Sequence, residues 1–209
     1  MTRLQISVLL ALIVAVWGAS LWIAGVPIGL QHLAPFGATV GVVYLALTVF
    51  NLYLWRLPLI RTILADRPVL AGGWRLQLTS SFIDEATGEA TNVDAFYVVR
   101  QTFLHVSIRA YTKKTTSKTL AAKLIKAEDG EWSLVATYED WRSPLKAGGE
   151  THRGTVTLVL AGNPVTSFQG HYWTERRSGG HVASTARLDD ADFASYEQAV
   201  AAFQNGAPP

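Results

Sequence analysis

The hydrophobic pattern of the chain changes near residue 56. Before that point lie two uncharged and mostly apolar runs, Leu4–Val26 with 23 residues and Leu33–Leu54 with 22. A helix rises about 1.5 Å per residue, so either run can cross the ~30 Å hydrocarbon core of a bilayer. The linker PIGLQH between them is short. The pattern therefore predicts an antiparallel transmembrane helical hairpin over residues 1–57.

Flanking charge predicts the orientation of this hairpin. Arg3 precedes the first run, and Arg56, Arg61 and Arg67 follow the second, whereas the linker has no Lys or Arg. The positive-inside rule then places both termini of a multi-pass protein in the cytoplasm. A cleaved signal peptide is the alternative for the first run, but the run is long for one and a second span follows at once.

After a connector over residues 58–72, the pattern acquires a period of two. Trp74, Leu76 and Leu78 alternate with polar positions, and similar alternation recurs between turn signals such as EDG, AGNP and SGG. Such alternation indicates half-buried antiparallel strands. About eight strands are expected over residues 73–188, which suits a closed up-and-down barrel or a sandwich. We predict an antiparallel β-barrel, and a barrel of about eight strands can hold one small ligand.

The last segment, residues 189–209, returns to helical spacing. Asp189 or Asp190 is expected to cap a helix here. The apolar side chains at helical spacing are Phe193, Tyr196, Val200 and Phe203. We expect a short amphipathic C-terminal helix, packed on the barrel or on a neighbouring subunit, and then a tail.

Composition narrows the chemistry. The chain has no cysteine, which excludes disulfides, a thiolate nucleophile and a Cys-ligated zinc site. Its histidines have no compact ligand spacing, and it lacks a phosphate-binding loop and motifs such as GxSxG or HExxH. A net charge of +2 is too small to imply binding of a DNA or RNA polymer. We expect a protein that is not an enzyme and has neither a metal nor a cofactor.

Charge is segregated within the strand-rich region. Residues 96–127 contain seven Lys or Arg and no Asp or Glu. The stretch KKTTSK within it is typical of a solvated turn whose lysines protect strand edges from pairing. It also fits a collar that attracts an anion or the anionic inner leaflet.

Two strands place cationic side chains among apolar ones. Arg100 shares the parity of its apolar neighbours and is predicted to face the interior, where a charge needs an ion-pair partner or a ligand. In the stretch HYWTERRSGGH, Tyr172, Thr174 and Arg176 share one parity. A guanidinium binds phosphate in a planar, bidentate way and a tyrosine ring can stack on a base, so this stretch suits a nucleotide. An ordinary hairpin is the alternative.

The order of motifs resembles a known family. Two apolar runs lead into LAGGWRLQL, VVRQTFLHVSI, TKKTTSKT, WSLVATYEDW, THRGTVTLVL and FQGHYWTERRSGGHVASTARL. Over nearly the whole chain, this series is similar to the SMODS-associating two-transmembrane, β-strand-rich effector family of bacterial CBASS anti-phage systems. A rather long first hairpin, IDEATGEATN, and the C-terminal helix depart from the family pattern.

The resemblance implies a β-barrel that binds a cyclic oligonucleotide, usually a dinucleotide, made by a partner CD-NTase cyclase. Binding would drive homo-oligomerisation in the cell inner membrane, where the transmembrane helices disrupt the lipid bilayer and kill the infected cell. The residues expected to contact the ligand are Arg100 and Arg176 for phosphate, Tyr172 for stacking, and Thr102, Tyr138, His152 and Thr174 as secondary polar contacts.

Two other functions stay open from the sequence. One is a membrane-tethered, lipocalin-like binder of an apolar small molecule, which a pocket lined only by Leu, Val and Phe would favour. The other is a structural accessory subunit of a membrane complex. The sequence predicts neither the bases and linkage of a cyclic nucleotide nor the oligomer number.

Overall fold

The computed structural model describes residues 3–26, 30–63, 66–83, 90–141, 152–175, 178–189 and 191–205. The chain divides into two compact units, residues 1–65 and residues 66–209. The second unit contains the strand-rich region and is described in more detail below.

Helices form the first unit. They are α1 (Arg3–Ile23), α2 (Leu30–Leu52) and α3 (Pro58–Ile63), with a 3-10 turn at Leu54–Arg56 before α3. Helices α1 and α2 occupy the two uncharged runs. Among the residues that the structure describes, no helix combines the length and the apolarity needed to cross a membrane. The transmembrane assignment stays a prediction from the sequence.

Eight antiparallel strands close into a barrel in the second unit. Each strand pairs with the next one along the chain, and the last strand pairs back with the first. The strands are β1 (Gly72–Ile83), β2 (Ala90–Gln101), β3 (Val106–Thr112), β4 (Thr116–Lys126), β5 (Trp132–Trp141), β6 (His152–Ala161), β7 (Ser167–Thr174) and β8 (Gly179–Leu188). The predicted barrel is confirmed, and the sandwich alternative is wrong.

Residues 66–71, here called the base strap, close one end of the barrel. Gln101 is 4% exposed, accepts the backbone N–H of Leu70 at 2.7 Å and donates to the carbonyl of Pro68 at 2.8 Å. On the other side, the N–H of Val165 donates to a further strap carbonyl at 3.0 Å. Above the strap, large apolar side chains of the strands pack together with Leu70 in the interior. Fully buried examples on the strands are Trp74, Leu76, Leu134, Leu158 and Val182.

Helix α4 (Tyr196–Asn205) packs on the outer faces of β2 and β3. The ring of Phe96 lies with its centroid 5.4 Å from those of both Tyr196 and Phe203. The helix begins later than predicted, because Ser195 rather than Asp189 provides the cap: the Ser195 hydroxyl accepts the N–H of Gln198 at 3.2 Å. Asp190 lies outside the described residues.

Coverage by α4 explains why one prediction about β2 is wrong. Both faces of this strand are apolar, since one faces the interior and the other faces the helix. The inner set is Ala95, Tyr97 and Val99, and the set beneath α4 is Phe96 and Val98. Arg100 has the parity of the outer set, so its side chain is exposed and its guanidinium lies 2.6 Å from the carboxylate of Asp192. The predicted interior position of Arg100 is therefore incorrect.

Candidate ligand-binding site

A cavity of about 580 Å³ opens at the end of the barrel opposite the base strap. This volume lies within the ~300–1,000 Å³ range of small-molecule sites. Strands β1 to β7 and helix α4 contribute to its wall. Its lining is mixed, because it combines apolar side chains with hydroxyls, two carboxylates and two lysines.

Three tyrosines from different strands lie in the cavity wall: Tyr97 on β2, Tyr138 on β5 and Tyr172 on β7. Burial raises the pKa of Tyr97, and the nearby Tyr138 and Tyr172 raise it further. Burial also raises the pKa of Tyr138, with Tyr172 and then Asp140 adding to the effect. Tyr97 and Tyr138 therefore keep their protons at neutral pH and can donate hydrogen bonds, while their rings present flat apolar faces.

Two of these rings each face a glycine on the neighbouring strand. Strand register pairs Tyr138 with Gly154 and Tyr172 with Gly180. A Cβ atom on Gly154 would lie 2.5 Å from the Tyr138 hydroxyl, and one on Gly180 would lie 2.9 Å from the Tyr172 hydroxyl. Each ring thus occupies space that a side chain on the next strand would fill, and this packing holds the ring against the wall.

A chain of polar side chains crosses the wall from β4 to β6. Asp140 is only 4% exposed and accepts the Ser117 hydroxyl at 3.0 Å. Its other carboxylate oxygen lies 3.4 Å from Nε2 of His152. A buried carboxylate is costly unless it is paired and hydrogen-bonded, so these contacts fix the positions of Asp140 and His152 in the wall.

Two lysines stand at the opening, in the turn between β3 and β4. The Thr112 hydroxyl accepts the backbone N–H groups of Lys114 and Thr115 at 3.3 and 3.0 Å, and these hydrogen bonds stabilise the turn. Lys113 and Lys114 both line the cavity and have exposed side chains. Among the described lining residues they are the only Lys or Arg, and the carboxylates of Asp94 and Asp140 line the same cavity.

The structure brings four of the predicted site residues together in this cavity. They are Tyr138, His152, Tyr172 and Thr174. Thr102 lies instead in the β2–β3 turn at the strap end, where its N–H donates to the carbonyl of His105 at 2.8 Å. Arg100 lies on the outer surface, as described above, and Arg176 lies outside the described residues. Direct ligand contact stays a prediction for the four cavity residues.

Sequence reasoning missed Tyr97, Ser117 and Asp140. Tyr97 was hidden because the outer face of β2 is as apolar as the inner one. Asp140 follows Glu139 in YEDW, and adjacent strand residues face opposite sides, so one of the two carboxylates had to point inward. The sequence therefore predicted one inward carboxylate in this pair but did not identify whether it was Glu139 or Asp140.

The comparisons with known proteins agree with this geometry. A family model described as "Cap15, cyclic dinucleotide receptor domain" matches residues 65–185, which is more than half of the chain. The matched range contains the cavity strands and ends before α4. No curated protein matches the chain. The family is one of CBASS effectors, which supports that part of the predicted resemblance, while the two-transmembrane type stays a prediction.

Proposed function

Because this chain belongs to the family of Cap15 cyclic dinucleotide receptor domains, we propose that its barrel cavity binds a cyclic dinucleotide. One observation carries the proposal: the open cavity combines three tyrosines with two lysines at its mouth, all within the matched range. A cyclic dinucleotide has two flat bases and two phosphates. It therefore needs ring faces for stacking and cations for charge neutralisation in the same site.

The proposed contacts differ from those expected on the sequence alone. Tyr172 and Tyr138 provide ring faces and hydroxyls, because they lie inside the opening and face glycines that leave room for them. Lys113 and Lys114 meet the phosphates, since they are the lysines at the mouth. Arg100 is removed from the set because it pairs with an acid on the outer surface. Arg176, His152 and Thr174 are kept as further contacts.

We infer a wider role as a CBASS anti-phage effector that is not an enzyme. On this proposal, a partner CD-NTase cyclase makes the signal, the barrel binds it, and the liganded chains oligomerise. The N-terminal helices then disrupt the inner membrane. Two uncharged apolar runs of 23 and 22 residues support this membrane step, as does the positive charge that flanks them.

The lipocalin-like alternative is less well supported by the cavity. A carrier of an apolar molecule needs an apolar wall. Here Asp140 and Ser117 lie in the wall, and Tyr97 and Tyr138 bring hydroxyls into it. A structural accessory subunit, in turn, would not require an open cavity of about 580 Å³.

Calorimetric titration of the full-length chain in detergent tests the binding step. The titrants are a panel of cyclic dinucleotides and trinucleotides, and at least one is expected to bind. Tyr172→Leu should weaken binding by roughly 5- to 100-fold, the effect of losing one stacked base. Trp173→Leu is the matched control, since this neighbouring ring is 51% exposed on the outer face. Absence of heat across the whole panel would remove the receptor proposal.

Two further measurements test the later steps. Sedimentation of the full-length chain should shift to larger species when the best ligand is added. Co-expression with a cognate cyclase should arrest growth, and Tyr172→Leu should restore it. An unchanged sedimentation profile would contradict oligomerisation. Equal toxicity of Tyr172→Leu and the wild type would contradict the need for Tyr172.

A further inference from the structure

Helix α4 contributes a side chain to the cavity through Tyr196. This residue lines the barrel cavity together with residues of the strands. A second, smaller cavity of about 250 Å³ lies on the outer side, between α4 and strands β1 and β2. Tyr196 and Asp94 line both cavities, so these two side chains separate the interior site from the outer groove.

The height of the barrel rim explains how an outer helix reaches an inner cavity. Strand register pairs Ala95 of β2 with Thr112, the last residue of β3, so β2 continues past the β3–β4 turn. The wall is therefore low at Lys113 and Lys114. Because α4 packs outside β2 and β3, its first turn lies beside this low edge.

The position of Tyr196 is well defined. The helix begins at this residue, directly after the Ser195 cap. Its ring meets Phe96 edge-on, with centroids 5.4 Å apart and an angle of 69° between the ring planes. The side chain stays half-buried, and part of its surface lies in the cavity lining. A ring held in this way can accept a ligand with little loss of rotational freedom.

We propose that Tyr196 forms one wall of the ligand site and stacks on a base of the bound cyclic dinucleotide. This inference rests on the proposed function. The base would lie against Tyr196 while a phosphate meets Lys113 or Lys114 at the same low edge. Since α4 lies beyond residues 65–185, recognition in this chain extends past the region that the family model matches. Ligand binding and docking of α4 then stabilise each other.

A matched pair of substitutions tests this proposal. Tyr196 and Phe203 both lie 5.4 Å from Phe96 between centroids, and both line the outer groove, but only Tyr196 lines the barrel cavity. Calorimetry on the full-length chain, with the cyclic dinucleotide that binds the wild type best, should show Tyr196→Leu weakening binding by roughly 5- to 100-fold. Phe203→Leu should change the Kd less than about 2-fold, although it should lower the Tm at least as much as Tyr196→Leu does. Tyr196→Phe, which keeps the ring, should bind like the wild type.

The outcomes separate this inference from the proposed function. If the wild type binds and Tyr196→Leu binds equally well, the inference is overturned and the receptor function stands. Equal weakening by Tyr196→Leu and Phe203→Leu would assign the effect to helix docking and would also overturn the stacking contact. If no cyclic dinucleotide binds the wild type, the receptor function itself fails, and the inference with it.

Amide hydrogen exchange provides a second readout. In the wild type, the ligand should slow exchange across Tyr196–Asn205, and in Tyr196→Leu this protection should be smaller. Exchange in α4 that the ligand leaves unchanged in the wild type would contradict a contact with this helix.

Discussion

The two lysines at the cavity mouth allow a quantitative test of the proposed phosphate contact. The perturbation is the double substitution Lys113→Ala and Lys114→Ala. At about 4 Å, a lysine and a phosphate attract by ~1 kcal/mol in the dielectric of water, and by more near a protein surface. Both side chains are exposed, so the lower value applies to each. Two such contacts together amount to ~2 kcal/mol, which predicts a Kd raised roughly 30-fold.

The assay is calorimetric titration at low and high salt. Screening weakens exposed charge pairs, since the Debye length falls from ~10 Å at 0.1 M to ~3 Å at 1 M salt. The wild type should lose affinity with salt, and the double variant should lose less. Arg109→Ala with Lys123→Ala is the matched control, because it removes the same charge from exposed side chains outside the cavity. Equal affinity losses in the two double variants would refute a local contact and leave only a general effect of net charge.

Three further predictions concern stability. Gln101→Leu should lower the free energy of unfolding by about 2–4 kcal/mol in chemical denaturation, because it leaves two buried backbone groups of the base strap unpaired; a loss below ~0.5 kcal/mol would contradict the role of this side chain. The raised pKa of Tyr97 adds stability that is full below about pH 10 and is lost as pH rises further, so thermal unfolding scans should show less alkaline destabilisation for Tyr97→Phe than for the wild type. Gly154→Ala should destabilise the wild type by at least ~0.5 kcal/mol more than it destabilises the Tyr138→Leu variant. If the two substitutions were strictly additive in this double-mutant cycle, the Tyr138 ring and an added Cβ at position 154 would not compete for the same space.

Strand β7 shows what the hydrophobic alternation could and could not predict. Its outer positions carry His171 and Trp173, both exposed, and its inner positions carry Phe168, Gly170 and Tyr172. The alternation in the sequence placed Phe168, Tyr172 and Thr174 on one face, but it did not identify which face lies toward the barrel interior. The inward direction of Tyr172 is seen only in the structure.

Strand β2 shows why the same reasoning failed for Arg100. A strand covered on one side by a helix and on the other by the barrel interior has two apolar faces, and its pattern no longer identifies the inner one. The position of Lys113 and Lys114 at the cavity mouth could not be predicted from the sequence, for a different reason. A turn borders the cavity only if it lies at the open end, and the open end is defined by the base strap, which contacts residues far away in the sequence.

The pairing of Tyr138 with Gly154 has a consequence for how the binding site can diversify. The two positions share one volume across adjacent strands, so neither is free to change alone. Among homologous chains, a bulkier residue at position 154 should co-occur with a smaller one at position 138. The same trade-off should couple positions 172 and 180. At each glycine a backbone carbonyl also limits any gain in size, that of Trp173 at position 154 and that of Thr79 at position 180. Such coordinated exchanges would offer evolution a stepwise way to reshape the site for another signal while the barrel wall itself is preserved.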